Sequence, residues 1–190
     1  MLLETPNLII TPFESVDDAG VSSLIRWYYD KKYTNFFRHQ PRPWRIDEFR
    51  NYPKMVNSEI FFINDKKTAN HIGIIQISGD CKTNRAFYIG LLMDEEHQKN
   101  RYPLEAFISI FDYCFNRLGY RKAIIEIVEG HTSLQRIISE NGFVFEGTLQ
   151  DECFLDGKFV NESRYCMFDI DYNNRFKPIL KKWEQDGWNT

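Results

Sequence analysis

The chain has 190 residues, 43% of them apolar and 27% charged, which suits one ordinary globular domain and is enough to bury a proper core. Aromatic side chains make up 16%, too many for a disordered chain. With 24 basic against 27 acidic side chains the net charge is -3, so neither nucleic acid nor an anionic membrane is an expected partner.

The N-terminal run MLLETPNLIITPFES carries an acid where a signal peptide would want positive charge, and Pro6 and Pro12 interrupt it. No run approaches the ~20 apolar residues that span a bilayer. Cys81, Cys114, Cys153 and Cys166 lie far apart without CxxC spacing and are expected to be reduced thiols. A soluble, cytoplasmic chain is the expectation.

Leu8 to Phe13 reads as an opening strand. Asp17 and Asp18 suit the first turn of a helix carrying Val21, Leu24, Ile25 and Tyr28. Beyond Pro41 and Pro43, Ile46 to Val56 reads as a short second helix. Ile60–Ile63, Ile72–Ile77 and Ala86–Met93 are β-rich runs. Leu104, Phe107, Ile108, Phe111, Phe115 and Leu118 form the stripe of an amphipathic helix, closed by Gly119. Ala123 to Val128 reads as a strand buried on both faces. Thr132 with Gln135 suggests a capping box opening a helix that runs to Asn141-Gly142. Phe143–Phe145 and Glu152–Leu155 read as strands, and Asp156-Gly157 as a two-residue hairpin turn into a strand through Ile170. A last helix carries Phe176, Ile179, Leu180 and Trp183. The order predicts an α+β, or mixed α/β, layered domain and lacks the regular alternation of a doubly wound fold.

The stretch EEHQKNRYPLEAF, residues 95–107, joins a strand to a helix N-terminus, a place that favours anions. Such turns usually carry glycines so that backbone can approach a phosphate, and this one has none. Asp94, Glu95, Glu96 and His97 look like a metal cluster, but consecutive residues at a strand end are expected to diverge, so no metal is expected.

From Ile72 to about Ile170 the chain resembles the GNAT superfamily of acyl-CoA-dependent N-acyltransferases, and most strongly its ribosomal-protein and amino-sugar acetyltransferase branch. IGLLMDEEHQKNRYPLEAF is similar to that family's strand, cofactor turn and helix. IIEIVEGHTSLQRIISENGFVFEGTL is similar to its fifth strand and following helix, and FLDGKFVNESRYCMFDI to its terminal hairpin. RWYYDKKYTNFF and ILKKWE resemble the branch's first helix and tail.

The resemblance implies a central, mostly antiparallel mixed sheet flanked by helices, with a splayed strand pair. It implies one domain: 1–58 on the acceptor side, 59–146 the cofactor core, 147–172 a hairpin and 173–190 a tail helix. Acetyl-CoA would lie in the splay against the backbone of Leu91 and Met93, one N–H polarising the thioester carbonyl. Its pyrophosphate would sit at Gln98, Lys99, Asn100, Arg101 and Tyr102. The family's small positions in this turn are held here by Arg101 and Pro103, and Pro103 removes a donor. Either side chains replace the lost backbone contacts, or Pro103 is simply a good early helical residue beside a solvated basic loop.

Glu126 falls where some members carry the base that takes the amine proton; the alternative is a glutamate paired with an Arg or Lys. His131 replaces the family's asparagine and contacts the cofactor, donates a proton, or caps a helix as a partly exposed histidine. Ile138 stands where the family's tyrosine acid would be. Trp27, Tyr28, Phe36, Phe37 and Trp44 either line the acceptor pocket, with Trp27, Phe37 and Trp44 the substrate candidates, or pack in the core. Two functions follow. One is acetyl transfer from acetyl-CoA to a primary amine of a small molecule or protein, by a monomer or homodimer. The other is a catalytically degenerate module that binds a protein partner.

Overall fold

The computed structural model describes residues 2–33, 46–80, 83–98, 101–155 and 157–186. The candidates Phe36, Phe37, Trp44, Lys99 and Asn100, with Cys81 and Asp156, lie outside them.

The described strands form one eight-stranded sheet in the order β1-β2-β3-β4-β5-β6-β8-β7. They are β1 (Leu3–Glu4), β2 (Leu8–Pro12), β3 (Glu59–Asp65), β4 (His71–Asp80), β5 (Ala86–Met93), β6 (Lys122–Val128), β7 (Val144–Leu155) and β8 (Lys158–Phe168). Every neighbouring pair is antiparallel except β5 and β6. That parallel pair needs a crossover, and helix α5 (Tyr102–Asp112), extended by a π turn over Tyr113–Arg117, supplies it.

Alternation along the strands divides the apolar side chains between two faces. Phe87, Ile89, Met93, Ala123, Ile125, Ile127, Tyr165 and Met167 pack with Ala106, Ile108, Ile110 and Phe111 of α5. Phe62, Ile74 and Leu92 pack on the other face against Val21, Leu24, Trp27 and Tyr28 of α1 (Asp18–Tyr29). Short helices α2 (Ile46–Phe49) and α3 (Tyr52–Met55) add Phe49 and Tyr52 to this second core. Each such side chain removed from water contributes about 1.5–3 kcal/mol. Asp17 caps α1, its carboxylate accepting the Gly20 N–H at 3.0 Å.

Several boundaries differ from expectation. The Ile46–Val56 helix is two short ones, because Pro53 restarts the chain at α3. Helix α6 (Thr132–Glu140) is capped by His131 and not by Thr132, and no side-chain cap bond forms there, so the capping box is absent. The strands read at 143–145 and 152–155 are parts of the continuous β7, whose pairing with β8 shifts register twice. Strand β8 stops at Phe168 and the chain turns into α7 (Asp169–Arg175), then α8 (Lys177–Gln185). Phe176 stands between those helices, packing under α5 with Leu180. Cys114, Cys153 and Cys166 are buried thiols outside any disulfide among the described residues. No helix among the described residues is long and apolar enough to cross a membrane.

Candidate functional site

Among the described strands, β5 and β6 form the one parallel pairing, and it is short. β5 meets β6 at Ala86–Lys122, Phe87–Ala123 and Tyr88–Ile124, and no pair follows. β5 nevertheless continues on β4 to Met93, and β6 on β8 to Val128. The two strands therefore part after Tyr88 and Ile124, leaving a split at the centre of the sheet.

Backbone alternation says which groups face this split. The Asp94 N–H bonds the Ile72 carbonyl at 2.8 Å, so even-numbered residues of β5 turn their peptide groups toward β4. Ile89, Leu91 and Met93 turn theirs the other way. Leu91 and Met93 thus present N–H donors to the split, while the Met93 carbonyl accepts from Gln98 Nε2 at 2.7 Å.

The turn beyond Met93 is tied inward. A short helix, α4 (Glu95–Gln98), precedes α5, and Gln98 is spent on Met93. The Tyr102 hydroxyl donates to Asp65 Oδ2 at 2.9 Å and its ring stacks on His97 at 5.7 Å. Burial, then the Asp65 carboxylate, hold the Tyr102 hydroxyl above its ordinary value. Arg101 is the exposed N-cap of α5 in helical backbone conformation, and Pro103 lies in the first turn. Of the five side chains expected at the pyrophosphate, Gln98 and Tyr102 therefore have internal partners, and Arg101 faces solvent.

On the α1 face, the register continued past Tyr88–Ile124 makes Gly90 and Glu126 the first residues beyond the fork. Arg164, opposite Glu126 on β8, donates to Glu126 Oε1 from Nε at 3.0 Å and Nη2 at 2.6 Å. The Glu126 side chain is 7% exposed and that of Arg164 32%. This bond holds the guanidinium above its ordinary value. Arg164 also lies 5.7 Å over the ring of Tyr88, an exposed side chain at the last paired rung. Next to them Lys122 Nζ donates to Glu146 at 2.5 Å and holds that carboxyl below its ordinary value. Arg164 and Tyr88 escape a reading by sequence motif, because only the cross-strand register sets them beside Glu126.

The remaining candidates divide. Trp27 is fully buried, and its Nε1 donates to Asp94 Oδ1 at 2.7 Å, so it is a core residue and does not line a pocket. Tyr28 is buried likewise. His131 is exposed at the start of α6. Ile138 is buried in the α5-side core, with no proton to give. Asp94, Glu96 and His97 do converge, against expectation, with ligand atoms within 4.8 Å of one another. Asp94 is already engaged, however: Arg26 bonds Oδ2 at 3.1 Å while Trp27 takes Oδ1. The group is an ion-pair hub tying α1 to the end of β5, beside an open polar groove of about 490 Å³.

The chain is similar to known proteins in both sequence and shape. Spermidine N(1)-acetyltransferase of Vibrio cholerae is 22% identical over 153 residues, 80% of this chain and 84% of that protein. The structure of a V. cholerae spermidine N-acetyltransferase in complex with CoA and spermine superposes with a TM-score of 0.77 at 18% identity, covering 88% of this chain and 98% of that one. A GCN5-related N-acetyltransferase from Brucella melitensis gives 0.76 at 18% identity, covering 96% and 85%. These likenesses establish the fold. The family described as acetyltransferase (GNAT) domain matches residues 7–144, most of the chain and the whole of the split and both its strands, and on that match the chain belongs to the GNAT acetyltransferase family.

Proposed function

We propose that the chain transfers an acetyl group from acetyl-CoA to a primary amine. The observation that carries this is the split, with the Leu91 and Met93 N–H groups turned into it. The pantetheine arm would add there as a short strand, and one of those amides would hold the thioester carbonyl as charge grows on its oxygen. Residues 59–146 would then form the cofactor core and 1–58 the acceptor side. The V. cholerae relatives are named for spermidine and one was solved with CoA, which supports an acyl-CoA donor and an amine acceptor.

In this reading Glu126 stands at the fork on the acceptor face and receives the amine's hydrogen bond, directly or through water. His131, at the head of α6, returns a proton to the departing thiolate. The pyrophosphate is held mainly by side chains, Lys99, Asn100 and Arg101, since Pro103 withdraws a backbone donor. Losing one hydrogen bond to a charged acceptor costs about 1.5–3 kcal/mol, roughly ten- to a hundredfold in affinity.

The inward engagement of Gln98 and Tyr102 favours a second reading, a GNAT-fold module that binds a protein partner with its cofactor turn closed. A thermal melt with millimolar acetyl-CoA separates the two. Ligand at a hundred times its dissociation constant adds about 2.7 kcal/mol. Absence of any shift selects the binding module. With a shift present, Glu126→Gln should lower turnover and leave the shift intact, and unchanged turnover removes Glu126 from its role.

A further inference from the structure

Resting on the acyl-transfer reading above, we infer that Tyr102, through Asp65, is a positioning residue for the cofactor's pyrophosphate: the pair fixes the head of α5 so that Arg101 and the first amides of the helix meet the same anion. A turn without glycines must be shaped by something other than backbone freedom. Here side chains shape it. Tyr102, the first residue of α5, donates its hydroxyl to Asp65 Oδ2 at the end of β3, 2.9 Å away, and lays its ring on His97 of α4 with the planes 15° apart. Asp65 is 5% exposed and has little freedom of its own, because Oδ1 accepts the Lys67 N–H at 2.7 Å and the Thr68 N–H at 2.9 Å. Further along the same first turn, Glu105 is tied to Thr5 and Asn7.

These ties decide what the helix head can offer. Glu105 gives its N–H to the Arg101 carbonyl at 3.0 Å, and Pro103 has none to give, which leaves Tyr102 and Leu104 as the first-turn amides. One of those amides belongs to Tyr102 itself. Asp65 and Glu105 already lie against the positive end of the helix dipole, so the amides need a cation beside them to hold a pyrophosphate. Arg101 is that cation. It is the exposed N-cap, and its helical backbone (φ -72°, ψ -7°) runs directly into Tyr102. A planar guanidinium grips phosphate oxygens in pairs, which demands a set direction of approach. The Tyr102–Asp65 bond supplies a fixed point one residue away.

The test titrates the full chain with acetyl-CoA by calorimetry, and with S-acetyl-pantetheine, which lacks the pyrophosphate, by saturation-transfer NMR. Tyr102→Phe keeps a ring beside His97 and removes the bond to Asp65. It should raise the acetyl-CoA Kd about tenfold and leave S-acetyl-pantetheine binding unchanged. Arg101→Gln should raise the same Kd about ten- to a hundredfold. Adding Tyr102→Phe to Arg101→Gln should then cost less than Tyr102→Phe costs alone, because both act on one contact. Weaker binding of both ligands alike, or of neither, overturns the inference, and so does full additivity of the two changes. Urea midpoints show whether each variant folds; should Tyr102→Phe not fold, Asp65→Asn, which sets an amide NH2 opposite the hydroxyl, carries the same comparison. Absence of an acetyl-CoA melting shift in the parent chain overturns acyl transfer and the inference with it, whereas a parent shift with a Kd that Tyr102→Phe does not raise overturns the inference alone.

Discussion

Two buried carboxylates show how single residues fix this fold. Glu105, in the first turn of α5, is 3% exposed and accepts from Thr5 Oγ1 at 2.7 Å, the Asn7 N–H at 3.1 Å and Asn7 Nδ2 at 2.7 Å. It pins the N-terminal hairpin to the helix that opens beside the split. Glu105→Ala removes the acceptor shared by these buried and half-buried donors and should cost about 1–3 kcal/mol, read as a lower midpoint in urea with an unchanged slope. Asp65 is the second case. Burial alone would raise its carboxyl, but N–H bonds from Thr68 and Lys67 and the Tyr102 hydroxyl outweigh burial and hold it below its ordinary value. A carboxyl depressed in the native state stabilises fully above its unfolded value, near ~3.9, and loses that contribution as pH falls through its lower native value. Asp65→Asn should therefore flatten the acid side of the stability curve below about pH 5, measured as melting temperature against pH. Glu105 was legible in the sequence only as one polar residue of a helix N-terminus. Its partners lie about a hundred positions away, and no local pattern announces them.

At the scale of elements, the split depends on β5 keeping its course along β4 after it leaves β6. Gly73 on β4 lets the strands close: a Cβ there would stand 2.4 Å from the Leu92 carbonyl oxygen and 3.1 Å from Met93 Cα. Both neighbours are backbone, which cannot rotate aside. Gly73→Ala should cost about 1–3 kcal/mol as overpacking. It should also weaken any acyl-CoA melting shift, because the amides displaced are those that face the split. An equal loss of stability with an unaltered shift would confine Gly73 to packing. Elements of this kind were largely legible in advance. The β-rich runs at 60–63, 72–77 and 86–93 and the stripe from Leu104 to Leu118 became β3, β4, β5 and α5 with its π turn. Period-two and period-3.6 patterns survive because each strand and helix has one buried side. The ends of elements were less legible, as at α6 and β7, since caps and bulges answer to partners across the sheet.

Across the whole molecule, a single sheet carries two cores, and β3, β4 and β5 supply side chains to both. Neither core can dissolve without exposing strands the other needs. Unfolding in urea should therefore be one transition, with far-UV circular dichroism and tryptophan fluorescence coincident within error. The fluorescence reports both faces, since Trp27 lies in the α1 core and Trp183 packs on the α5 core. Separated midpoints would mean that α1, α2 and α3 with their core form an independent unit.

The sequence by itself determined the class of fold and the position of a strand-to-helix turn that lacks glycines, while the split was an expectation implied by the family resemblance. Fold class and turn depend on local periodicity and on residues adjacent in the chain, so 95–107 could be picked out as a strand-to-helix turn without glycines, and the resemblance implied its cofactor role. Tertiary structure alone decided what its side chains do. Gln98 and Tyr102 turn inward because Met93 and Asp65 offer acceptors, and Trp27 is core because Asp94 takes its N–H. Arg164 reaches Glu126 because β8 lies against β6 in a register that only the assembled sheet sets. Charge pairing across strands is a long-range property that no local pattern in the sequence announces.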